Sequence, residues 1–192
     1  QVAEYNQQIS RGEDVISRII FAGKDGGAEK MRELVMDTIN TLIEQACKRA
    51  KADPGEIIKA TIAGNSTMMH LLLGIPAASI RLTPFVTAVN HIPTMTAGEV
   101  GLNFHPRAIV DCLPGVASYV GADISAGVLA SGMDYSDEVI LFMDVGTNGE
   151  IVLGSRDWLV TCACSAGPAF EGSGVLNGMR ATKGAIEEVW IN

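Results

Sequence analysis

The chain has 192 residues, a length that favours one domain or at most two small ones. Its net charge of −8, from 14 Lys and Arg against 22 Asp and Glu, argues against a nucleic-acid partner bound by a basic surface. The hydrophobic fraction of 47% is high for a disordered chain, yet no apolar run approaches the roughly 20 residues that a membrane helix needs.

The first third of the chain predicts two helices, a strand and a further helix. Residues 11–22 are typical of a short amphipathic helix and residues 27–51 of a longer one, because apolar residues recur at intervals of three and four. Residues 57–63 indicate a strand. The glycine turn after this strand leads into a helix for which Asn65 or Ser66 would be the N-cap.

The rest of the chain predicts fewer helices and more strands. Four prolines break residues 75–106 into loops with short strands. Residues 108–112 indicate a strand, and residues 119–130 a helix of small residues. Residues 139–164 form a strong block of strands, in which Asn148-Gly149 between two apolar runs predicts a hairpin turn.

Strands and helices alternate along the chain, so the predicted fold class is α/β. We expect one lobe or two partial lobes, built on a mixed sheet that carries the strands of 139–164 and is flanked by the helices of 27–51 and 119–130. The chain opens with Gln1 and carries no tail, and we expect it to be a piece excised from a longer polypeptide.

The segment 144–150 (DVGTNGE) is the first candidate for chemistry. An apolar strand delivers the Asp144 carboxylate, and a turn with two glycines and a hydroxyl follows. Successive N–H groups in such a turn form an anion-binding concavity, and a carboxylate can hold hydrated Mg²⁺. An ordinary hairpin that binds no ligand would have the same shape, so this alternative stays open. On the phosphate interpretation, the candidate residues are Asp144, Gly146, Thr147, Asn148 and Gly149.

A second candidate follows the last strand. Pro168 suits the first position of a helix, and the residues before it leave N–H groups available to an anion, so Ser165 and Gly167 are candidate phosphate contacts. A plain strand-to-helix connection is the alternative. The segment 63–67 offers the same choice between an anion site and simple helix capping.

The cysteines and histidines give weaker signals. The four cysteines form no CxxC pair, and with no signal peptide they predict a reducing, cytoplasmic location. Cys162 and Cys164 continue an apolar strand, so we expect both to be reduced and mostly buried. His70 lies on an apolar helix and is expected to be a packed or capping histidine.

Short segments spread along the chain form a wider pattern. They are residues 5–8, 12–18, 63–68, 84–85, 120–123, 144–150, 166–172 and 178–181. In this order they resemble the RACo-type reductive activators of corrinoid proteins, a family of the actin/Hsp70/sugar-kinase ATPase superfamily. The resemblance covers essentially the whole chain, and its last three glycine motifs are the specific part.

This resemblance implies that residues 1–192 are part of an actin-like, ribonuclease H-like ATPase domain. It implies an activator that uses ATP to return a Co(II) corrinoid protein to Co(I) in methyl transfer. Electrons would pass through a [2Fe–2S] domain that is not in this chain. A corrinoid protein is the implied partner, and a homodimer is left open.

The resemblance also assigns roles around the nucleotide. The Asp144 loop would match the second phosphate-binding loop of the superfamily, with Asp144 holding Mg²⁺ through water and the residues from Gly146 to Gly149 contacting phosphate. A first phosphate loop is expected upstream of Tyr5 and an adenosine-binding segment after residue 192. ATP binding by this chain alone is therefore expected to be weak.

Two other functions stay open. One is a small-molecule kinase of the same superfamily, for which Asp123 is the candidate catalytic base. The other is a non-catalytic interaction or dimerisation module, in which the loops only shape a docking surface.

Overall fold

The structure is a computed structural model, and it describes residues 1–146, 148–164 and 189–190. Three predicted phosphate contacts, Thr147, Ser165 and Gly167, lie outside the described residues. In the part of the chain that is described, no helix has the length and apolar character needed to cross a membrane.

Helices and strands alternate through the described residues. The helices are α1 (Val15–Ala22), α2 (Gly27–Ala50), α3 (Ser66–Leu73), α4 (Ala78–Arg81), α5 (Ala97–Val100) and α6 (Ala122–Ser131). The strands are β1 (Lys59–Ile62), β2 (Met95–Thr96), β3 (Ile109–Cys112), β4 (Ile140–Val145), β5 (Gly149–Ser155) and β6 (Trp158–Cys164). Short 3-10 turns occupy Gln7–Ser10 and Pro54–Glu56.

Local hydrogen bonds explain where helix α3 begins and ends. The Asn65 side chain accepts from the backbone N–H of Met68 at 2.9 Å, so Asn65 rather than Ser66 is the N-cap. Gly74 ends the helix with φ of +68°, a conformation that favours glycine. For the segment 63–67, the structure therefore shows helix capping.

The first sheet is mixed and has the order β1-β3-β2. β1 runs parallel to β3, with Lys59 beside Ile109, and β2 runs antiparallel to β3. One buried cluster joins Val35 of α2 and Leu72 of α3 to Val110 of β3. Helices α2 and α3 therefore pack on this sheet.

The second sheet is an antiparallel meander in the order β4-β5-β6. Helix α6 covers one of its faces, where Ile124 and Val152 are buried together and Phe142 packs against them. A Cβ added at Gly127 would stand only 2.3 Å from Cζ of Phe142. Helix and strand are thus in contact with no space between them.

The α/β class, with a mixed sheet and flanking helices, is confirmed, as is the position of the 119–130 helix beside the 139–164 strands. The rest of the predicted arrangement is wrong in two respects. The 139–164 sheet is wholly antiparallel, because loops of three and two residues join its strands and parallel strands need long crossovers. The 27–51 helix packs on the other sheet, since its apolar face meets α3, α5 and β3.

The cysteines divide into a buried and an exposed pair, and all four are free thiols. Cys162 and Cys164 are exposed, so the expectation that they are mostly buried is wrong. They lie on β6, an edge strand, and point away from the face that α6 covers, because Val152 on that face pairs with Thr161. In the part of the chain that the structure describes, no element covers the opposite face.

His70 is packed, as expected, and is 1% exposed. Its Nε2 accepts from the backbone N–H of Ala88 at 3.1 Å, so its Nδ1 is the nitrogen that donates to the carbonyl oxygen of Ser66 at 2.7 Å. Burial lowers the pKa of this imidazole, and the hydrogen bond to Ser66 opposes that shift only in part.

Candidate functional site

The Asp144 hairpin is closed by a loop of three residues, 146–148. Val145 pairs with Gly149, so the predicted hairpin is confirmed, with Asn148 in its turn and Gly149 as the first residue of β5. A Cβ on Gly149 would stand 2.9 Å from Sγ of Cys164. Glycine is needed there for close approach of β6, and not for a positive φ.

The loop is partly closed on itself. The N–H of Gly146 donates to the carbonyl oxygen of Asn148 at 3.0 Å. An open anion-binding turn would have all its N–H groups unpaired, and in this loop the N–H group of Gly146 is paired. A Cβ on Gly146 would stand 3.8 Å from Oδ1 of Asp144, an ordinary van der Waals distance, so Gly146 lies beside this carboxylate.

Two acidic side chains face each other across the hairpin. Asp144 on β4 lies directly opposite Glu150 on β5. Like charges in this position repel, so the pair destabilises the hairpin unless a cation or a proton compensates. Alternation along β4 puts Asp144 on the same side as Phe142, the side that α6 covers.

A third carboxylate, that of Asp123, lies in the first turn of α6. Burial raises the pKa of Asp123 above its ordinary value, and the negative charge of Asp144 adds to the shift. Burial also raises the pKa of Glu150, with further contributions from Asp123 and Asp144. The three side chains thus share one electrostatic environment, which a cation would stabilise.

The chemistry of these oxygens fits magnesium held through water. Among the described residues, no three His, Cys, Asp or Glu side chains lie close enough to hold a metal ion directly. Mg²⁺ usually keeps several of its waters and takes one or two carboxylates plus phosphate oxygens. The carboxylates of Asp144 and Glu150 could supply these one or two ligands and would leave the other coordination positions to water and phosphate.

The N-terminus of α6 is fixed to the Gly64 turn. A Cβ on Gly121 would stand 2.5 Å from Cα of Asn65, so only glycine fits there. The N–H groups of Ala122 and Asp123 both donate to the carbonyl oxygen of Gly64, at 2.9 and 3.3 Å. Because these groups are paired, this helix terminus fixes Asp123 in place and is not itself an open anion site.

The structure brings together the predicted residues Asp144, Gly146, Asn148 and Gly149 in one turn. Sequence reasoning gave Glu150 no role and named Asp123 only for the kinase alternative. The pairing of Asp144 with Glu150 could have been found, because the two acids flank the turn at similar distances. The approach of Asp123 could not, because it depends on how α6 lies on β4.

The described residues form an α/β fold in which a helix backs an antiparallel sheet, and the match of the last part of the chain to an ASKHA domain assigns this fold to the actin-like ATPase class. Comparison with protein families is more specific. Residues 1–136 match the family described as the RACo middle region, and residues 138–192 match the C-terminal domain of RACo, the ASKHA domain. The chain belongs to the RACo family.

Curated relatives and a solved structure agree with this assignment. The "Corrinoid activation enzyme RamQ" of Eubacterium limosum is 38% identical over 185 residues, which cover 96% of this chain and 31% of that protein. The "[Co(II) methylated amine-specific corrinoid protein] reductase" of Methanosarcina barkeri is 40% identical over 76 residues, 40% of this chain and 14% of that protein. A solved "Reductive activator for corrinoid,iron-sulfur protein" is 54% identical with a TM-score of 0.84, over 98% of this chain and 30% of that one.

The chain spans less than a third of the length of these relatives. The two family matches meet near residue 137, so the Asp144 hairpin lies in the first strands of the ASKHA match. The earlier phosphate loop expected upstream of Tyr5 stays a prediction. That residues 1–192 are all part of one ATPase domain stays a prediction.

Proposed function

We propose that this chain is the central part of an ATP-dependent reductive activator that returns a corrinoid protein from Co(II) to Co(I). The observation that carries the proposal is the 54% identity to a reductive activator over 98% of the chain. The names of both curated relatives point to the same chemistry. The reduction adds one electron to cobalt, and ATP hydrolysis supplies the free energy for this uphill step.

The electron reaches the site from outside the described residues. These contain no cluster of three metal-ligating side chains, and their four cysteines are free. On this proposal a [2Fe–2S] centre is held by another part of the complete protein. The corrinoid protein is the partner that the function requires. A homodimer stays a prediction, which sedimentation of the complete protein tests.

The Asp144 hairpin is the proposed phosphate and magnesium site. Asp144 holds Mg²⁺ through water, and the ion compensates the repulsion between Asp144 and Glu150. Gly146 leaves room for a phosphate oxygen beside the carboxylate. We propose, as the resemblance implies, that this hairpin is the second phosphate-binding loop of the superfamily. Thr147, Asn148, Gly149, Ser165 and Gly167 are proposed further phosphate contacts.

The test is Asp144→Asn in the complete protein, with Asp157→Asn as control. Asp157 is an exposed acid in the turn between β5 and β6, and it undergoes the same change of charge. We expect Asp144→Asn to lower ATP hydrolysis and the rate of Co(I) formation at least about tenfold, because a neutral amide orients hydrated Mg²⁺ poorly. The control should behave as wild type.

Two results would contradict the proposal at different levels. Unchanged turnover in Asp144→Asn would show that the loop is only a hairpin. Failure of the wild-type protein to reduce a Co(II) corrinoid protein when ATP and a reductant are supplied would overturn the function itself.

A further inference from the structure

Five large apolar side chains on two loops form an exposed surface beside the first sheet, which we call the Phe85 patch. It consists of Leu82, Phe85, Val86, Val116 and Tyr119, which are 39–54% exposed. The ring centroids of Phe85 and Tyr119 are 6.2 Å apart, so the loop after α4 and the loop after β3 meet in this patch. Single exposed apolar side chains are ordinary, but a group of them in contact marks an interaction site.

The Phe85 patch lies at the carboxyl end of the parallel strands β1 and β3. The loop that carries Tyr119 follows β3. It is bonded to the start of α3, which follows β1, because Oγ of Ser66 donates to the carbonyl oxygen of Ala117 at 2.7 Å. In open α/β sheets, ligands bind outside the carboxyl ends of the strands. The patch therefore lies where a functional surface is expected.

The backbone holds Phe85 in a conformation that a bulky side chain disfavours. Its φ is +58°, in the left-handed region, and strain of this kind is concentrated at functional sites. The N–H of Phe85 donates to Leu82 at 2.6 Å, and its carbonyl oxygen accepts from the hydroxyl of the buried Ser118. Further along the loop, the N–H of Ala88 donates to Nε2 of His70 at 3.1 Å. The ring is thus presented in a fixed position, which lowers the entropy that binding costs.

Charged side chains are scarce around the patch. Residues 57–98 contain only Lys59 and Arg81 among Lys, Arg, Asp and Glu, and residues 112–122 contain none, although the whole chain has a net charge of −8. Arg81 ends α4 directly before Leu82, is exposed, and makes no ion pair with any described residue. The centres of protein interfaces are depleted in charged residues and enriched in aromatic residues and arginine.

We propose that the Phe85 patch is the docking surface for the corrinoid protein, with Phe85 and Tyr119 as apolar anchors and Arg81 paired with an acidic side chain of that partner. The inference rests on the proposed function, which requires this partner. A second copy of the chain fits less well. Two copies docked patch to patch would offer Arg81 no acid, because the patch contains none.

The patch is also close in structure to the proposed nucleotide site. At the start of α6, the N–H of Ala122 donates to the carbonyl oxygen of Gly64, in the turn before α3, at 2.9 Å. Gly127 of the same helix lies on the ring of Phe142 in β4. One helix therefore joins the turn beside the patch to the Asp144 hairpin. A reaction in which ATP drives the reduction of a bound partner requires such proximity.

The experiment measures, by calorimetry, binding of the complete protein to the Co(II) form of the corrinoid protein that it reduces. Phe85→Asn removes the ring, and asparagine tolerates the left-handed conformation, so the loop should still form. We expect its Kd to rise about tenfold or more, because an anchor at the centre of the interface is lost. Arg81→Glu should raise the Kd more at low salt than at high salt, because it opposes two acids.

Ile58→Asn is the matched control. Ile58 is 74% exposed and precedes β1, at the opposite end of the strand, so its loss should leave the Kd unchanged. Wild-type affinity in both Phe85→Asn and Arg81→Glu would overturn the inference. A shift of the complete protein from dimer to monomer in sedimentation, with unchanged affinity, would assign the patch to a second copy and overturn it too. Lower thermal stability with unchanged affinity would assign the patch to another segment of the complete protein, with the same consequence. A wild-type protein that reduces no corrinoid protein would overturn the proposed function itself.

Discussion

Replacing Gly127 by alanine tests how closely α6 lies on β4. A Cβ at this position would stand 2.3, 2.8 and 3.0 Å from Cζ, Cε1 and Cε2 of Phe142. Carbon atoms in contact prefer about 3.5–4.0 Å, so the ring or the helix has to move by about 1 Å or more. Overpacking of this kind costs about 1–3 kcal/mol.

The substitution also stabilises the helix itself, and this gain must be separated from the cost of overpacking. Alanine is favoured over glycine inside a helix by about 1 kcal/mol, so the expected net loss of stability is at most about 2 kcal/mol. In a chain of this size that loss lowers Tm by at most about 8 °C. Ala130→Gly, at an exposed position of the same helix, calibrates the helix-propensity contribution.

Thermal and urea unfolding of Gly127→Ala, Phe142→Leu and the double variant complete the test. Leucine lacks the end of the ring, so the double variant should be more stable than the sum of the single losses predicts. A Gly127→Ala protein as stable as wild type, with no coupling to Phe142→Leu, would refute the close packing of α6 on β4.

Two further predictions concern buried and exposed side chains. Because burial lowers the folded-state pKa of His70, the unfolded chain binds the proton more readily, and stability should fall as the pH drops from the ordinary histidine value of 6.5 towards the lowered one. His70→Asn should reduce this pH-dependent loss of stability, measured by urea unfolding at several pH values. The control His91→Gln, at an exposed position, should leave the loss unchanged. A wild-type protein whose stability does not change with pH would contradict the reasoning. Cys162 and Cys164 should react with a thiol reagent in the native protein, whereas the two buried cysteines should react only after unfolding. Protection of the exposed pair would show that another segment covers β6.

Local signals in the sequence predicted most of the elements. The spacing of apolar residues over 27–51 gave α2 to within a residue, and the Asn65 cap gave the start of α3. The same spacing shows which face of α2 is apolar, but not which sheet that face meets. That choice depends on contacts with β3 and α5, which are distant in sequence.

The site was predicted where it depends on neighbouring residues and missed where it depends on tertiary packing. The strand that carries Asp144 and the turn after it were both expected. Gly149 was expected in the turn and is instead the first residue of β5, where a Cβ would stand 2.9 Å from Sγ of Cys164, a residue distant in sequence. The exposure of Cys162 was also missed, since an apolar strand pattern does not reveal that no element in the described part of the chain covers this face of the sheet.

One buried cluster spans the boundary between the two family matches. It consists of Val120, Ile124, Met133 and Val152. Three of its members belong to the middle-region match and the fourth to the ASKHA match, with Phe142 packed against them. Division of the polypeptide at residue 137 would expose apolar side chains on both products. We therefore expect that a cut at the junction between the two family matches does not yield two pieces that fold independently.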